Sequence, residues 1–121
     1  MSDLYGRIIL VAEDEPFIAE DVARALEREG ADVLGPVGTL GGALTLLDVM
    51  DRVDGAVLDI NLHGEAISPV IDMLEAPGIP YVFATGDGEQ SVPDQYKHVP
   101  RWTRPFGLED LAKGFRDLLR R

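Results

Sequence analysis

The sequence has 121 residues, of which 45% are hydrophobic and 27% are charged, and this composition is typical of one folded globular domain. It contains no cysteine, so disulfides, thiolate metal ligands and cysteine nucleophiles are excluded, and a reducing compartment is expected. The 11 basic and 22 acidic residues give a net charge of −11, which disfavours binding to nucleic acid.

The amino-terminal segment lacks the basic residues and long apolar run of a secretion signal. No apolar stretch approaches the roughly 20 residues that a membrane helix needs. We therefore expect a cytoplasmic protein that has no membrane partner.

The first strand is predicted over Arg7–Ala12, because this apolar, β-branched run does not alternate with polar residues. The acidic segment Glu13–Pro16 follows it, and both proline and carboxylates suit the first turn of a helix. A helix is predicted from there to Gly30, which would end it. Its apolar positions recur every four residues, at Ile18, Val22 and Leu26.

A weaker second strand is predicted where Ala31–Leu34 leads into Gly35–Val37. Thr39 can cap a second helix, because its hydroxyl can accept a hydrogen bond from the first helical turn. That helix carries one apolar face, made of Leu40, Ala43, Leu44 and Leu47. The run Gly55–Ile60 predicts the third strand.

The second half of the chain repeats the alternation of helix and strand. A third helix is predicted over Pro69–Glu75, a fourth strand over Ile79–Thr85 and a weak fifth strand over Val99–Thr103. The segment Gly86–Pro100 has few apolar residues, so it supports at most a short or frayed helix. A clear last helix presents Leu108, Leu111, Phe115 and Leu118.

This alternation predicts an α/β, doubly wound fold, in which helices cover both faces of a five-stranded parallel sheet. The fourth helix is expected to be weak or irregular. No linker, repeat or low-complexity segment divides the sequence, so residues 1–121 are expected to form one domain.

Polar residues stand at the predicted carboxyl ends of the strands, where open α/β sheets bind their ligands. They are Glu13 and Asp14 after strand one, Asp59 in strand three, Thr85 in strand four and Arg104 after strand five. Carboxylates that converge on one point repel each other unless a cation joins them. Mg²⁺ favours carboxylate oxygens, so the sequence predicts a magnesium site here.

These residues carry a resemblance to a known family. The opening Ile8–Pro16, the strand Ala56–Leu62, the hydroxyl of Thr85 and the run Arg104–Phe106 stand in the order and spacing of its motifs. The sequence thus resembles the flavodoxin-like receiver domain of two-component response regulators over nearly all of its length. Its Pro80–Gly86 strand is also similar to a subgroup of single-domain regulators that carry a Phe-Ala-Thr-Gly motif.

The resemblance implies a role for each matching residue. Asp59 would accept a phosphoryl group from the phosphohistidine of a sensor histidine kinase. Asp14, Asp59 and the backbone carbonyl of Asn61 would bind Mg²⁺, with Glu13 as a second-layer or water-mediated partner. Thr85 would donate its hydroxyl to a phosphoryl oxygen after the transfer. We expect no output domain after the receiver, so the signal would pass to a downstream partner protein that the sequence does not name.

Two positions depart from the family pattern. Arg104 stands where the family carries lysine, which keeps the positive charge but replaces a compact ammonium group with a planar guanidinium. Arg101 occupies the position in strand five where many receivers carry an aromatic residue, and Trp102 follows it. Both changes bear on the conformational switch that follows phosphorylation.

Three hypotheses of function remain open at this point. The first is a phosphoacceptor protein that changes its binding to partners and takes part in its own magnesium-dependent phosphorylation without being a conventional enzyme. The second is a pseudo-receiver that binds partners without a phosphorylation switch. The third, a metal-dependent phosphohydrolase with an aspartate nucleophile, would need a general acid, and neither His63 nor His98 has a catalytic context.

Overall fold

The computed structural model describes residues 4–62, 64–85, 94–96, 98–99 and 101–103. In this part of the chain the α-helices are α1 (Pro16–Arg28), α2 (Leu40–Val49) and α3 (Ser68–Glu75). The strands are β1 (Ile8–Ala12), β2 (Asp32–Val37), β3 (Gly55–Leu58), β4 (Asn61–Leu62), β5 (Glu65–Ala66), β6 (Tyr81–Thr85) and β7 (Arg101–Thr103). The predicted last helix, around residues 108–118, lies outside the described residues.

The main sheet has five strands in the order β2-β1-β3-β6-β7, and every neighbouring pair is parallel. The predicted α/β fold with a five-stranded parallel sheet is therefore confirmed. The chain moves outward from β1 in one direction to β2 and in the other to β3. Strand order thus reverses between β1 and β3, and such a reversal opens a crevice at the carboxyl ends of the two strands.

The sheet is buried on both faces, which is why its strands lack a polar alternation. On one face, Ile9 and Val11 of β1 pack in a cluster with residues of α1. On the other face, Leu10 of β1 and Phe83 of β6 pack with α2 and α3. Among the described residues no helix combines the length and the apolar character needed to cross a membrane.

The helix ends follow the predicted signals. The Thr39 hydroxyl accepts a hydrogen bond from the Gly42 N–H at 3.0 Å and so caps α2. Pro16 begins α1, and the Glu15 side chain accepts a hydrogen bond from the Phe17 N–H at 3.4 Å. Gly30 follows α1 with a φ of +91°, a conformation that glycine adopts readily.

Several strand boundaries differ from the predictions by one or two residues. The second strand runs from Asp32 through Gly35 and Pro36 to Val37, and the fourth strand begins at Tyr81 rather than at Ile79. The third strand ends at Leu58, before the predicted Ile60, because the chain turns into the short antiparallel hairpin β4–β5. The fifth strand is shorter than predicted, with Arg101–Thr103 in strand geometry.

The irregular segment before β7 is described at residues 94–96 and 98–99. Asp94–Tyr96 forms a short 3-10 turn, in keeping with the expected weak fourth helix. Tyr96 and Val99 are buried in the cluster that contains α2 and α3. Two apolar residues therefore attach this segment to the core, although its composition is mostly polar.

Asp54 joins the amino-terminal ends of two strands on the side of the sheet opposite the crevice. Its carboxylate accepts a hydrogen bond from the Ile8 N–H at 2.8 Å and another from Arg52 at 3.0 Å. Partial burial by itself would raise the pKa of Asp54. The hydrogen bonds from Arg52 and Ile8 and the charges of Arg52 and Arg7 outweigh that effect, so the net pKa is lowered.

We expect Asp54→Ala to lower the free energy of unfolding by about 1–3 kcal/mol, because the Ile8 N–H loses its acceptor. Since the folded-state pKa lies below the usual 3.8, the ionised carboxylate stabilises the protein above that pH. This stabilisation should fade as the pH falls through the lowered value. Urea unfolding at pH 7 and at pH 3 measures both effects. The exposed Asp51→Ala is the control, and equal costs in the two variants at pH 7 would refute the assignment.

Candidate functional site

Three acidic side chains meet at the carboxyl ends of β1 and β3, where strand order reverses. Glu13 and Asp14 follow β1, and Asp59 follows β3. The Asp59 N–H donates to the Ala12 carbonyl at 2.8 Å, so the two strand ends are joined directly beside the acids. One carboxylate oxygen from each acid lies within 4.8 Å of the others. The predicted convergence of these three carboxylates is thus present in the structure.

Two of the three acids are buried. Asp59 is 5% exposed and Glu13 is 6% exposed, whereas Asp14 is half-buried. The Glu13 carboxylate accepts a hydrogen bond from the Glu15 N–H at 2.9 Å, and this bond holds it against the start of α1. Charged groups are costly to bury, so a buried acidic pair calls for a proton or a cation.

The burial of Glu13 has a direct electrostatic consequence. The pKa of Glu13 is raised from its usual 4.5 to about 8, chiefly by burial and against the lowering effect of the hydrogen bond from Glu15. The charge of Asp59, a hydrogen bond with Asp59 and the charge of Asp14 contribute to the same rise. In the absence of a cation, one proton is therefore retained within the cluster at neutral pH.

This raised pKa predicts how the stability of the metal-free protein depends on pH. Between pH 4.5 and about 8 the folded protein keeps a proton on Glu13 that the unfolded chain releases. Stability should therefore fall as the pH rises through this window, with a slope of at most about 1.4 kcal/mol per pH unit for one proton. Glu13→Gln should flatten the profile. Urea unfolding in a chelating buffer at several pH values measures the slope, and identical slopes in the two proteins would contradict the prediction.

The other predicted site residues lie near this cluster or outside the described residues. Asn61 opens β4, two residues after Asp59. Thr85 ends β6, the strand beside β3, and its backbone is in register with Thr103 of β7. Arg104 lies outside the described residues. The roles predicted for these residues remain predictions.

Sequence reasoning missed the backbone contacts that shape the cluster. The N–H groups of Glu15 and Asp59 hold the two sides of it, and any residue type could supply such a group. The hairpin β4–β5, which follows Asp59, was also missed. A glycine at position 64 was the sequence signal that could have indicated this hairpin, and Gly64 has a φ of +81° at the turn.

The donor set of the cluster suits a hard divalent cation. Carboxylate oxygens are the ligands that Mg²⁺ prefers, and it binds through one or two of them together with water and phosphate oxygens. A cation would also offset the repulsion that raises the pKa of Glu13. The residues present therefore fit the metal that the resemblance implies.

Comparison with known proteins identifies the class to which this fold and site belong. No protein-family model matches the chain. The solution structure of SdrG from Sphingomonas melonis Fr1 aligns with a TM-score of 0.85 at 39% identity, over 98% of this chain and 99% of that one. The BeF3-activated conformation of SdrG, from Pseudomonas melonis Fr1, aligns with a TM-score of 0.74 at 39% identity, over 93% and 95% of the two chains.

A curated relative from Mycobacterium tuberculosis, the probable transcriptional regulatory protein TcrX, is 31% identical over 93% of this chain. The match spans only half of the length of TcrX. The chain belongs to the receiver domains of two-component response regulators. The predicted family is confirmed, and membership of it supports phosphorylation-based signalling in general terms.

Proposed function

We propose that this receiver accepts a phosphoryl group on Asp59 from a sensor histidine kinase and then changes its affinity for a partner protein. One observation carries the proposal: Asp59 is buried at a strand end, with carboxylate oxygens of Glu13 and Asp14 within 4.8 Å. A carboxylate in that position can act as a nucleophile if a cation offsets the charge of its neighbours.

The proposed transfer of the phosphoryl group to Asp59 is a displacement at phosphorus. A carboxylate oxygen of Asp59 attacks the phosphorus of the kinase phosphohistidine and forms an acyl phosphate. The phosphorus–nitrogen bond breaks, and its electron pair returns to the imidazole nitrogen, which then takes up a proton. Bound Mg²⁺ would neutralise charge on the transferred phosphoryl oxygens. Asp14, Asp59 and the Asn61 carbonyl would hold the metal, with Glu13 behind them.

Two further residues complete the proposed site. Thr85 stands at the end of the strand next to β3, from which its hydroxyl would bind a phosphoryl oxygen after transfer. Arg104 would pair with Asp59 before transfer and with the phosphoryl group afterwards, because a guanidinium can make two hydrogen bonds to either group. Arginine in place of lysine then preserves charge neutralisation within this proposal.

The similarity to SdrG supports both the chemistry and the domain organisation. SdrG has a BeF3-activated conformation, and it aligns with this chain over almost its whole length. By analogy we propose a stand-alone receiver of residues 1–121 in the cytoplasm, whose output is a protein–protein contact. The identity of the kinase and of the downstream protein is left to experiment.

The direct test is mass spectrometry of the intact protein after incubation with acetyl phosphate and Mg²⁺. We expect a mass increase of one phosphoryl group, and this increase should be lost when a chelator replaces the metal. A protein that gains no phosphoryl group from acetyl phosphate or from any kinase, yet still binds partners, would be a pseudo-receiver. Steady hydrolysis of a generic phosphate ester would instead indicate a phosphohydrolase.

Metal binding should also be visible as a gain in stability. We expect Mg²⁺ at about 100 times its dissociation constant to add about 2.7 kcal/mol by mass action. Asp14→Asn should lose most of this gain, because it removes a ligand. The same variant should be no less stable than the wild type without metal, since the charge of Asp14 contributes to the repulsion in the cluster.

Thermal unfolding of chelator-treated protein, titrated with Mg²⁺, measures both effects. Asp48→Asn, which changes an exposed carboxylate of α2, is the matched control and should respond to Mg²⁺ like the wild type. An equal response in Asp14→Asn would remove Asp14 from the ligand set.

A further inference from the structure

The edge strand β2 contains an irregularity close to the acidic cluster. Leu10 of β1 is in register with Leu34 of β2, and the next recorded pair is Ala12 with Val37. Strand β1 thus advances by two residues where β2 advances by three. Gly35 and Pro36 together lie opposite one residue of β1, which is the arrangement of a β-bulge.

The bulge requires glycine at its first position. Gly35 has a φ of +100°, a conformation that residues with a side chain rarely adopt. A Cβ at this position would also lie 2.8 Å from the Val37 nitrogen and 2.9 Å from the Val11 carbonyl oxygen. Both neighbours are backbone atoms, so a larger residue can be accommodated only if the strands move.

The extra residue in β2 determines which backbone group of β2 lies opposite the end of β1. After the bulge, the Val37 carbonyl accepts a hydrogen bond from the Glu13 N–H at 2.9 Å. In an unbroken register Pro36 would instead lie opposite Ala12, and proline has no N–H to donate to the ladder. The bulge therefore brings Val37 to the level of Glu13.

The end of β1 is consequently held from both sides. The Ala12 carbonyl is fixed by the Asp59 N–H on the β3 side, and the Glu13 N–H is fixed by the Val37 carbonyl on the β2 side. The backbone from which Glu13 and Asp14 project thus has its position set by both neighbouring strands. A shift of β2 would move these two carboxylates relative to Asp59.

We infer that the Gly35–Pro36 bulge is a positioning element of the cation site, acting through the Val37–Glu13 hydrogen bond to hold the acids of β1 beside Asp59. The inference rests on the proposed function, because it assumes that these acids bind Mg²⁺. The further point is that the edge strand β2, which contributes no ligand, sets the affinity of these acids for Mg²⁺. Bulges beside functional sites commonly orient side chains in this way.

The test compares two glycine variants of the full chain. In Gly35→Ala the new Cβ meets the backbone of both strands, whereas in Gly78→Ala, at a φ of +79°, it meets nothing within 4 Å. Both variants carry the strain of a positive φ, but only the first should disturb β1. We expect Gly35→Ala to weaken Mg²⁺ binding by about 10-fold or more, and Gly78→Ala to bind like the wild type.

Titration calorimetry with Mg²⁺ measures the affinities, and the amide chemical shifts of Glu13 and Asp14 report their backbone position. The expected result is a loss of affinity together with shifted Glu13 and Asp14 amides in Gly35→Ala alone. Wild-type affinity in Gly35→Ala would overturn the inference and leave the proposed function intact. A wild-type protein that binds no Mg²⁺ would overturn the proposed metal site itself.

A measurement on the wild type decides the matter if Gly35→Ala does not fold. Because coupling between two sites is reciprocal, Mg²⁺ should stabilise the bulge as the bulge stabilises the site. Amide exchange at Val37 should therefore slow more on adding Mg²⁺ than exchange at Asp32, which precedes the bulge in the same strand and whose N–H donates to the Arg7 carbonyl at 2.8 Å. Equal slowing at these two residues would show that the bulge is not coupled to the metal.

Discussion

Asp59→Asn should abolish the uptake of phosphate from acetyl phosphate or a cognate kinase while the fold is retained. Asparagine has nearly the shape of aspartate, but its amide cannot form an acyl phosphate. The backbone hydrogen bond from the Asp59 N–H to Ala12 does not depend on the side chain and should persist. Because the charge of Asp59 helps to raise the pKa of Glu13, its removal should leave the metal-free protein at least as stable as the wild type.

Intact mass spectrometry over a time course, with circular dichroism on the same samples, checks both parts of this prediction. Asp48→Asn changes an exposed carboxylate of α2 and should be phosphorylated at the wild-type rate. Phosphoryl uptake by Asp59→Asn at the wild-type rate would mean that another carboxylate is the acceptor, with Asp14 as the first candidate.

Phe83→Ala should lower the free energy of unfolding by about 3–5 kcal/mol. Phe83 is completely buried in β6, and its backbone is in register with Leu58, the residue before Asp59. Its ring centroid lies 6.0 Å from that of Tyr81 and 6.0 Å from that of Tyr96, in tilted and edge-on arrangements. Truncation removes both aromatic contacts and leaves a cavity between β6 and the segment that contains Tyr96.

Urea denaturation followed by circular dichroism measures this loss. Native domains are stable by only about 5–15 kcal/mol, so the variant should unfold at a much lower urea concentration. Phe17→Ala is the matched control, since Phe17 is 70% exposed and its truncation should change stability by no more than about 0.5 kcal/mol. A loss of less than about 1 kcal/mol in Phe83→Ala would show that the core around this ring can collapse to fill the space.

Apolar periodicity predicted the sheet and the order of its elements because the relevant physics is local. A parallel strand that is buried on both faces must be apolar throughout, as Ile8–Ala12 and Gly55–Leu58 are. The general rule that ligands bind at the carboxyl ends of such strands then brought Glu13, Asp14 and Asp59 together before their distances were known. The residues that form the acidic cluster could therefore be named from the sequence.

Strand boundaries and backbone contacts were harder to predict from the sequence, because they depend on pairing partners that are far away along the chain. Gly35 and Pro36 weaken the strand pattern of β2, yet pairing with β1 carries β2 through them to Val37, with a bulge that the sequence did not predict. The segment before β7 looked too polar to pack, but Tyr96 reaches the ring of Phe83. In each case a long-range contact outweighs the local preference.

Residue type and order were enough to predict the fold class, the receiver family and the three acids of the cluster. The burial of Glu13 beside Asp59 could not be predicted in this way, because burial depends on how β1, β2 and β3 are aligned. That burial, together with the nearby charges of Asp59 and Asp14, raises the pKa of Glu13 to about 8 and makes the cluster unfavourable without a proton or a cation. The tertiary structure likewise decided that Val37 supports Glu13, because a hydrogen bond between neighbouring strands depends on their register.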